Sequence, residues 1–298
     1  MLSRAAQPVR FARERAPLLA SHGPLFNGQP VAMAIDPDAR YPDARSHRLK
    51  LGLLLPATNT SSEHEIWTLL VRNRQLPAMD GIGVHATGVV TPDPRIGNAV
   101  ELAAYRDQFL AGLEAAVPQA LLAVPDHLIL GMSLEHILSG LDAVQAPAER
   151  LVARSSLPVT AWHDAADAAL RAVNARRIAL ITPFDPAGNA NARRMFTELG
   201  HEVVADFGFA CATARHVAHV PDWAKEQAIL QHLVPPGASV DAVVQCGTNM
   251  SLIDVAERLE PRLGIPIISI NAALLWHALR ANGISAALAG GGILLSHS

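Results

Sequence analysis

Three short words of this chain occur twice, in the same order. Leu51-Gly-Leu-Leu-Leu-Pro56 is answered by Ile178-Ala-Leu-Ile-Thr-Pro183, each running into a polar loop and a helix-like stretch. Asp126-His-Leu-Ile-Leu-Gly-Met-Ser133 is answered by Asp241-Ala-Val-Val-Gln-Cys-Gly-Thr248. Leu157-Pro-Val-Thr160, followed by a segment ending Ala-Leu-Arg-Ala172, is answered by Ile265-Pro-Ile-Ile268 and a segment ending Ala-Leu-Arg-Ala281. One coincidence would mean little, because any α/β chain offers similar strand–turn–helix words. Three in register point to two similar halves.

From Leu49 onward, short Leu-rich or β-branched runs alternate with longer amphipathic stretches of Ala, Leu and Arg. That is the pattern of parallel strands joined by crossover helices. The expected fold is therefore α/β, with two Rossmann-like (flavodoxin-like) parallel-sheet domains related by a pseudo-dyad. We expect residues 49–175 plus 269–298 in the first domain and 176–268 in the second. Open α/β sheets bind ligands outside the carboxyl ends of their strands. Facing halves would thus gather Pro56-Ala-Thr-Asn-Thr60, Gly131-Met-Ser133, Thr182-Pro-Phe184 and Cys246-Gly-Thr-Asn249 around one cleft.

Residues 1–48 break the pattern. They carry seven Arg against four acidic residues, and Pro interrupts at positions 8, 17, 24, 30, 37 and 42. They lack a signal-peptide apolar region and are expected to form a poorly ordered extension.

Charge and composition remove several function classes. A net charge of −3 and 4% aromatic residues disfavour a nucleic-acid partner, which calls for a basic footprint. No apolar run approaches the ~18 residues of a membrane span, so no membrane partner is expected. Lys50 and Lys225 are the only lysines, and neither a phosphate-binding G-x-x-x-x-G-K-[ST] nor a dinucleotide-binding G-x-G-x-x-G occurs. The two cysteines, Cys211 and Cys246, cannot build a disulfide scaffold and read as thiols of a reducing cytoplasm. His216 and His219, or Glu63-His64-Glu65, invite a metal reading. Without H-E-x-x-H or cysteines at ligand spacing that reading is weak, and no metal or cofactor is expected. No G-x-S-x-G nucleophile elbow is present either.

Val243-Val-Gln-Cys-Gly-Thr-Asn249 reads as a buried strand breaking at Gly247. Ser251 or Asn249 would cap a helix starting near Leu252. A thiol beside a helix N-terminus is expected to have a lowered pKa, and the following amides could hold a carboxylate. The competing reading is an inert core cysteine. At the matching turn, Gly131 stands where the repeat would place a thiol, while the Met132 and Ser133 amides and the Ser133 hydroxyl can still bind an anion. Asn59 is either a turn or cap residue or a substrate contact. Phe184 is a pocket wall or core. Cys211 follows the expected strand from Glu202 and reads as packing, with the cleft within its reach.

At these residues the chain resembles the Asp/Glu racemase superfamily, in its maleate isomerase and arylmalonate decarboxylase branch. The likeness runs roughly from Leu49 to Gly292. It is strongest in Cys246-Gly-Thr-Asn249 with Leu263-Gly-Ile-Pro-Ile-Ile-Ser-Ile-Asn271 and Ala272-Ala-Leu-Leu-Trp276. The resemblance implies cofactor-free chemistry at a carbon next to a carboxylate. In racemases of this kind two thiols face each other across the substrate. In maleate isomerases the first is nucleophile and the second acid. In arylmalonate decarboxylases the first position is glycine and the second cysteine protonates an enediolate.

This sequence mixes those patterns. Pro56-Ala-Thr-Asn-Thr60 is similar to the maleate isomerase opening, which would give Asn59 a carboxylate to hold. Gly131-Met-Ser-Leu134 is similar to the decarboxylase turn. Phe184 stands where the family usually has a substrate-binding Tyr. Ectoine-utilisation proteins of the branch look similar as well.

The leading expectation is a lyase acting on a small carboxylic acid. Cys246 would be the proton donor, with Asn59, Gly131, Met132, Ser133, Phe184, Gly247 and Thr248 binding the substrate. A maleate cis-trans isomerase, a racemase or a non-catalytic carboxylate binder are the alternatives. Apolar helix faces such as Ala165 to Ala172 leave self-association into a homo-oligomer open.

Overall fold

A computed structural model describes residues 19–26, 29–34, 43–91 and 99–296. Most of the expected N-terminal extension (1–18, 27, 28 and 35–42) lies outside them. Within it, β1 (Leu19–Phe26) and β2 (Gln29–Ala34) pair antiparallel.

The first half is built on β3 (Leu49–Pro56), β4 (Ile82–Val89), β5 (His127–Leu130) and β6 (Val159–Ala161). The second uses β7 (Arg177–Thr182), β8 (Glu202–Gly208), β9 (Ala242–Gln245) and β10 (Ile267–Ile268). All pairings within these two sheets are parallel. The orders are β4-β3-β5-β6 and β8-β7-β9-β10, so in each the second strand lies outside the first and the third lies on its other side. The repeated words are thus β3 and β7, β5 and β9, β6 and β10. Each sheet reverses direction between its first and third strands, the switch point where a crevice opens.

The correspondence extends to single atoms. Asp126 accepts the Lys50 N–H at 2.7 Å; Asp241 accepts the Arg176 and Arg177 N–H groups at 2.8 and 2.7 Å. In both halves an aspartate before the third strand anchors the start of the first.

The helices cover both faces. They include α1 (Ser62–Arg72), α2 (Ala99–Leu121), α3 (Leu141–Ser155) and α4 (Trp162–Ala172) in the first half, and α5 (Pro186–Glu198), α6 (Ala214–Val217), α7 (Asp222–Ala228) and α8 (Ile253–Leu263) in the second. The chain then leaves β10 into α9 (Ile270–Ala281), which packs on α1 and α4 of the first half. Short α10 (Ile293–Ser296) closes against α9.

Burial along β9 alternates between two cores. Ala242, Val244 and Cys246 face a core shared with the first half, whereas Val243 faces the core around Val255, Leu259 and Ile229. The period of two along a strand decides the direction of the thiol: Cys246 points toward the other half. Among the described residues no helix is long and apolar enough to cross a membrane.

Candidate active site

Gly131 directly follows β5 and Cys246 directly follows β9. The Gly131 N–H donates to Leu54 O at 2.8 Å, and the Cys246 N–H donates to Ile181 O at 3.0 Å. These are the same ladder step in the two sheets, so the halves present a glycine and a thiol at equivalent positions.

The strand-end turns meet across the boundary between halves. The Gly247 N–H donates to Ser133 Oγ at 2.9 Å, and Thr248 Oγ donates to Gly131 O at 2.9 Å. Asn59 Nδ2 donates to Thr248 Oγ at 3.1 Å and to Ser62 Oγ at 2.8 Å. Its Oδ1 accepts the Ser61 and Ser62 N–H groups at 3.0 and 2.9 Å. Asn59 is therefore the turn residue that starts α1, held against the opposite half. The site is closed: Cys246 is 2% exposed, Ser133 7% and Asn59 8%. Met132 is buried too.

Gly247 cannot be another residue. Its φ is +86°, and a Cβ there would come within 2.4 Å of Pro183 Cγ. Gln245 fixes the turn from below: its Nε2 donates to Gly247 O at 2.8 Å and to Met250 O, while its Oε1 accepts the Ile270 N–H at 3.2 Å. Phe184 is half-buried and stacks on His136, ring centroids 5.3 Å apart. His136 Nδ1 is 2.8 Å from Ser133 O. Cys211 is half-buried, its N–H on Pro183 O at 2.8 Å, and burial raises its pKa.

Two expectations need correction. The first concerns the thiol, whose pKa lies well above the ordinary value instead of below it. Burial is the main cause, followed by the charge of Glu135 and a hydrogen bond to that residue. Desolvation disfavours the thiolate more than a helix end can favour it. The second concerns the cap of α8. Neither Ser251 nor Asn249 caps it. Glu65 Oε1, from α1, accepts the Leu252 and Ile253 N–H groups at 2.8 and 3.0 Å. Asn249 instead spans to the other half, accepting the Thr60 N–H at 2.9 Å and donating to Thr58 O at 3.3 Å.

Glu135 is the site residue that sequence reading missed. It lies four residues beyond Gly131, is 0% exposed, and its carboxyl sits against the Cys246 thiol with the Trp162 indole N–H and the Ser133 hydroxyl nearby. Burial lifts its pKa to about 7 against the lowering effect of these neighbours. The only signal in the sequence was an acid set between Leu134 and Ile137, within the anion-binding turn.

A thiol thus points across two stitched strand ends, on a duplicated parallel-sheet frame. The chain belongs to the arylmalonate decarboxylase family, whose model matches residues 127–295. No curated protein matches it in sequence.

Among solved structures, the maleate isomerase Iso of Pseudomonas putida S16 superposes with a TM-score of 0.71 at 22% identity, over 83% of this chain and 98% of its own. A maleate cis-trans isomerase of Nocardia farcinica gives 0.66 at 23%, over 83% and 98%. Arylmalonate decarboxylase gives 0.62 at 19%, over 84% and 100%. At such identities the likeness is one of fold.

Proposed function

We propose that this protein is a cofactor-independent enzyme acting at the carbon next to a carboxylate, in which Cys246 delivers a proton to one face of an enediolate left by loss of carbon dioxide. The equivalence of Gly131 and Cys246 carries this reading. One half supplies an acid, and the other has no side chain to supply a second.

The chemical problem is a carbanion beside a carboxylate. Amides at the strand ends, of Met132, Ser133, Gly247 and Thr248, would stabilise the two enediolate oxygens, each such donor typically contributing about 3 kcal/mol. The apolar surroundings of Met132 and Leu134 favour departure of neutral carbon dioxide over retention of a second carboxylate. In this step the C–C bond electrons remain on the substrate as the enediolate. The Cys246 S–H bond then breaks as its proton goes to carbon. Because only one wall carries a thiol, the product is a single enantiomer.

Isomerisation of maleate is the second reading. The polar loop at Asn59 supports it, as do neighbours of the same fold; one solved form of the Nocardia enzyme carries a covalently bound succinylcysteine intermediate. In that scheme Cys246, at the second position, would be the acid, and the group that adds to the double bond would be Cys211 or a side chain other than a thiol, since Gly131 has none.

Turnover of α-substituted malonates and of maleate in deuterated water separates the two. Carbon dioxide release with one deuterium in one enantiomer is expected, falling by at least about 100-fold in Cys246→Ala. Fumarate formed from maleate without gas would establish the isomerase instead. Turnover unchanged in Cys246→Ala would remove Cys246 from either scheme.

A further inference from the structure

We propose that Glu135 is the proton-relay partner of Cys246, a carboxyl group sealed against the sulfur that acts through the thiol and not on the substrate. The inference rests on Cys246 being the proton donor proposed above.

The contrast with the other buried acids carries it. Glu65 is as deeply buried, at 1% exposure, but both its oxygens are consumed by the fold. Oε1 takes the Leu252 and Ile253 N–H groups, and Oε2 takes Asn271 Nδ2 at 2.6 Å. Glu260 likewise accepts the Ile267 and Ile293 N–H groups at 2.7 and 2.6 Å. These are structural carboxylates.

Glu135 is different. Neither oxygen has a hydrogen-bond partner of good geometry, and among the described residues no cation pairs with it. Its carboxyl meets the Cys246 thiol, flanked by the Ser133 hydroxyl and by the Trp162 indole N–H, itself without a well-placed acceptor. A carboxyl placed this way does no capping and holds no loop. It stands beside the one sulfur that the two halves aim at each other.

The balance is simple. As the Cys246 proton leaves for carbon, the Glu135 O–H bond breaks and its proton moves to sulfur. The products are a restored thiol and a Glu135 carboxylate, which takes a proton from solvent when the site opens. A pKa near 7 keeps a neutral fraction available near neutrality, and the raised thiol pKa means that sulfur holds its proton between turnovers. The neighbouring titratable group is His136, whose pKa burial lowers, so it stays uncharged at neutral pH.

Two measurements test this, one without substrate. The carbon-13 carboxyl signal that disappears in Glu135→Gln should titrate near pH 7 and move to higher pH in Cys246→Ala, because the neighbouring thiol favours the carboxylate. A midpoint in the ordinary carboxylate range, or one indifferent to Cys246→Ala, overturns the pair.

In turnover, the relay needs the neutral acid, so kcat should fall as pH rises through about 7. Glu135→Gln should lower kcat at least about tenfold, leave KM unchanged and abolish that alkaline limb, with Glu135→Asp recovering part of it. An unaltered kcat and pH profile overturns the relay. Loss of the decarboxylation reading itself is recognised separately, by turnover surviving in Cys246→Ala.

Discussion

At the scale of single residues, burial decides the chemistry. A thiol after a strand and before a helix invites a dipole argument, yet α8 starts seven residues beyond Cys246 and its first amides are already held by Glu65. The desolvated sulfur keeps its proton, which suits a proton donor and ill suits a resting nucleophile.

Glu135 also leaves a mark on stability. Its folded pKa of about 7 lies above the ordinary glutamate value of 4.5, so the folded state binds its proton more tightly than the unfolded chain. The associated stability is full below pH 4.5 and is lost as pH rises toward 7. The loss is on the order of 3 kcal/mol. Glu135→Gln, which imitates the neutral acid, should raise Tm relative to wild type at pH 8 and change it little at pH 5.

Gly131 gives a second prediction. A Cβ there would lie 2.8 Å from Leu53 Cδ1 and 3.1 Å from Leu54 O. Gly131→Ala should destabilise by about 1–3 kcal/mol, less than additively with Leu53→Ala, in urea denaturation. A thiol introduced at 131 would first have to displace Leu53.

At the scale of elements, the caps show what local reading can and cannot find. Cys246, Gly131 and Ser133 were legible because they end strand words that occur twice, and strand ends are where open sheets bind ligands. Asn59 was legible as a turn residue for the same local reason. The α8 cap was not, because the residue that supplies it lies 187 positions earlier in the chain. Capping rules look a few residues to either side, and Glu65 reads as one of the ordinary acids in the first turn of α1. Glu135 escaped similarly, since nothing in a short acidic turn reveals total burial. Glu65→Ala would strand the two buried N–H groups of Leu252 and Ile253 and leave Asn271 Nδ2 with Thr248 O as its remaining acceptor. It should cost about 3 kcal/mol or more, read as a lower urea midpoint with an unchanged m-value.

At the scale of the whole molecule, the two sheets and the meeting of their strand-end turns followed from the duplicated words, but the hydrogen bonds of the seam did not. Its partners are small polar residues, Ser61, Ser62, Asn59, Thr248 and Asn249, which in a sequence look like loop. Ser61 Oγ donates to Asn249 O at 2.8 Å and Ser62 Oγ to Thr248 O at 3.0 Å, so α1 begins on the turn that carries Cys246. With α9 crossing from one half to pack on the other, urea unfolding should be a single transition, coincident by tryptophan fluorescence and far-ultraviolet circular dichroism. Combining Thr248→Val with Asn249→Ala should split the two probes.

In the reaction proposed above, the hydroxyl of Ser133, resting on the Gly247 amide, would occupy the place of the incoming oxygen. Admission is then an exchange of acceptors: a guest must outbid an internal alcohol for the same N–H. Neutral esters and amides gain little from that trade, whereas a carboxylate, roughly twice as strong an acceptor, gains much. On the proposed reaction, discrimination against uncharged look-alikes would thereby precede the engagement of any reacting group.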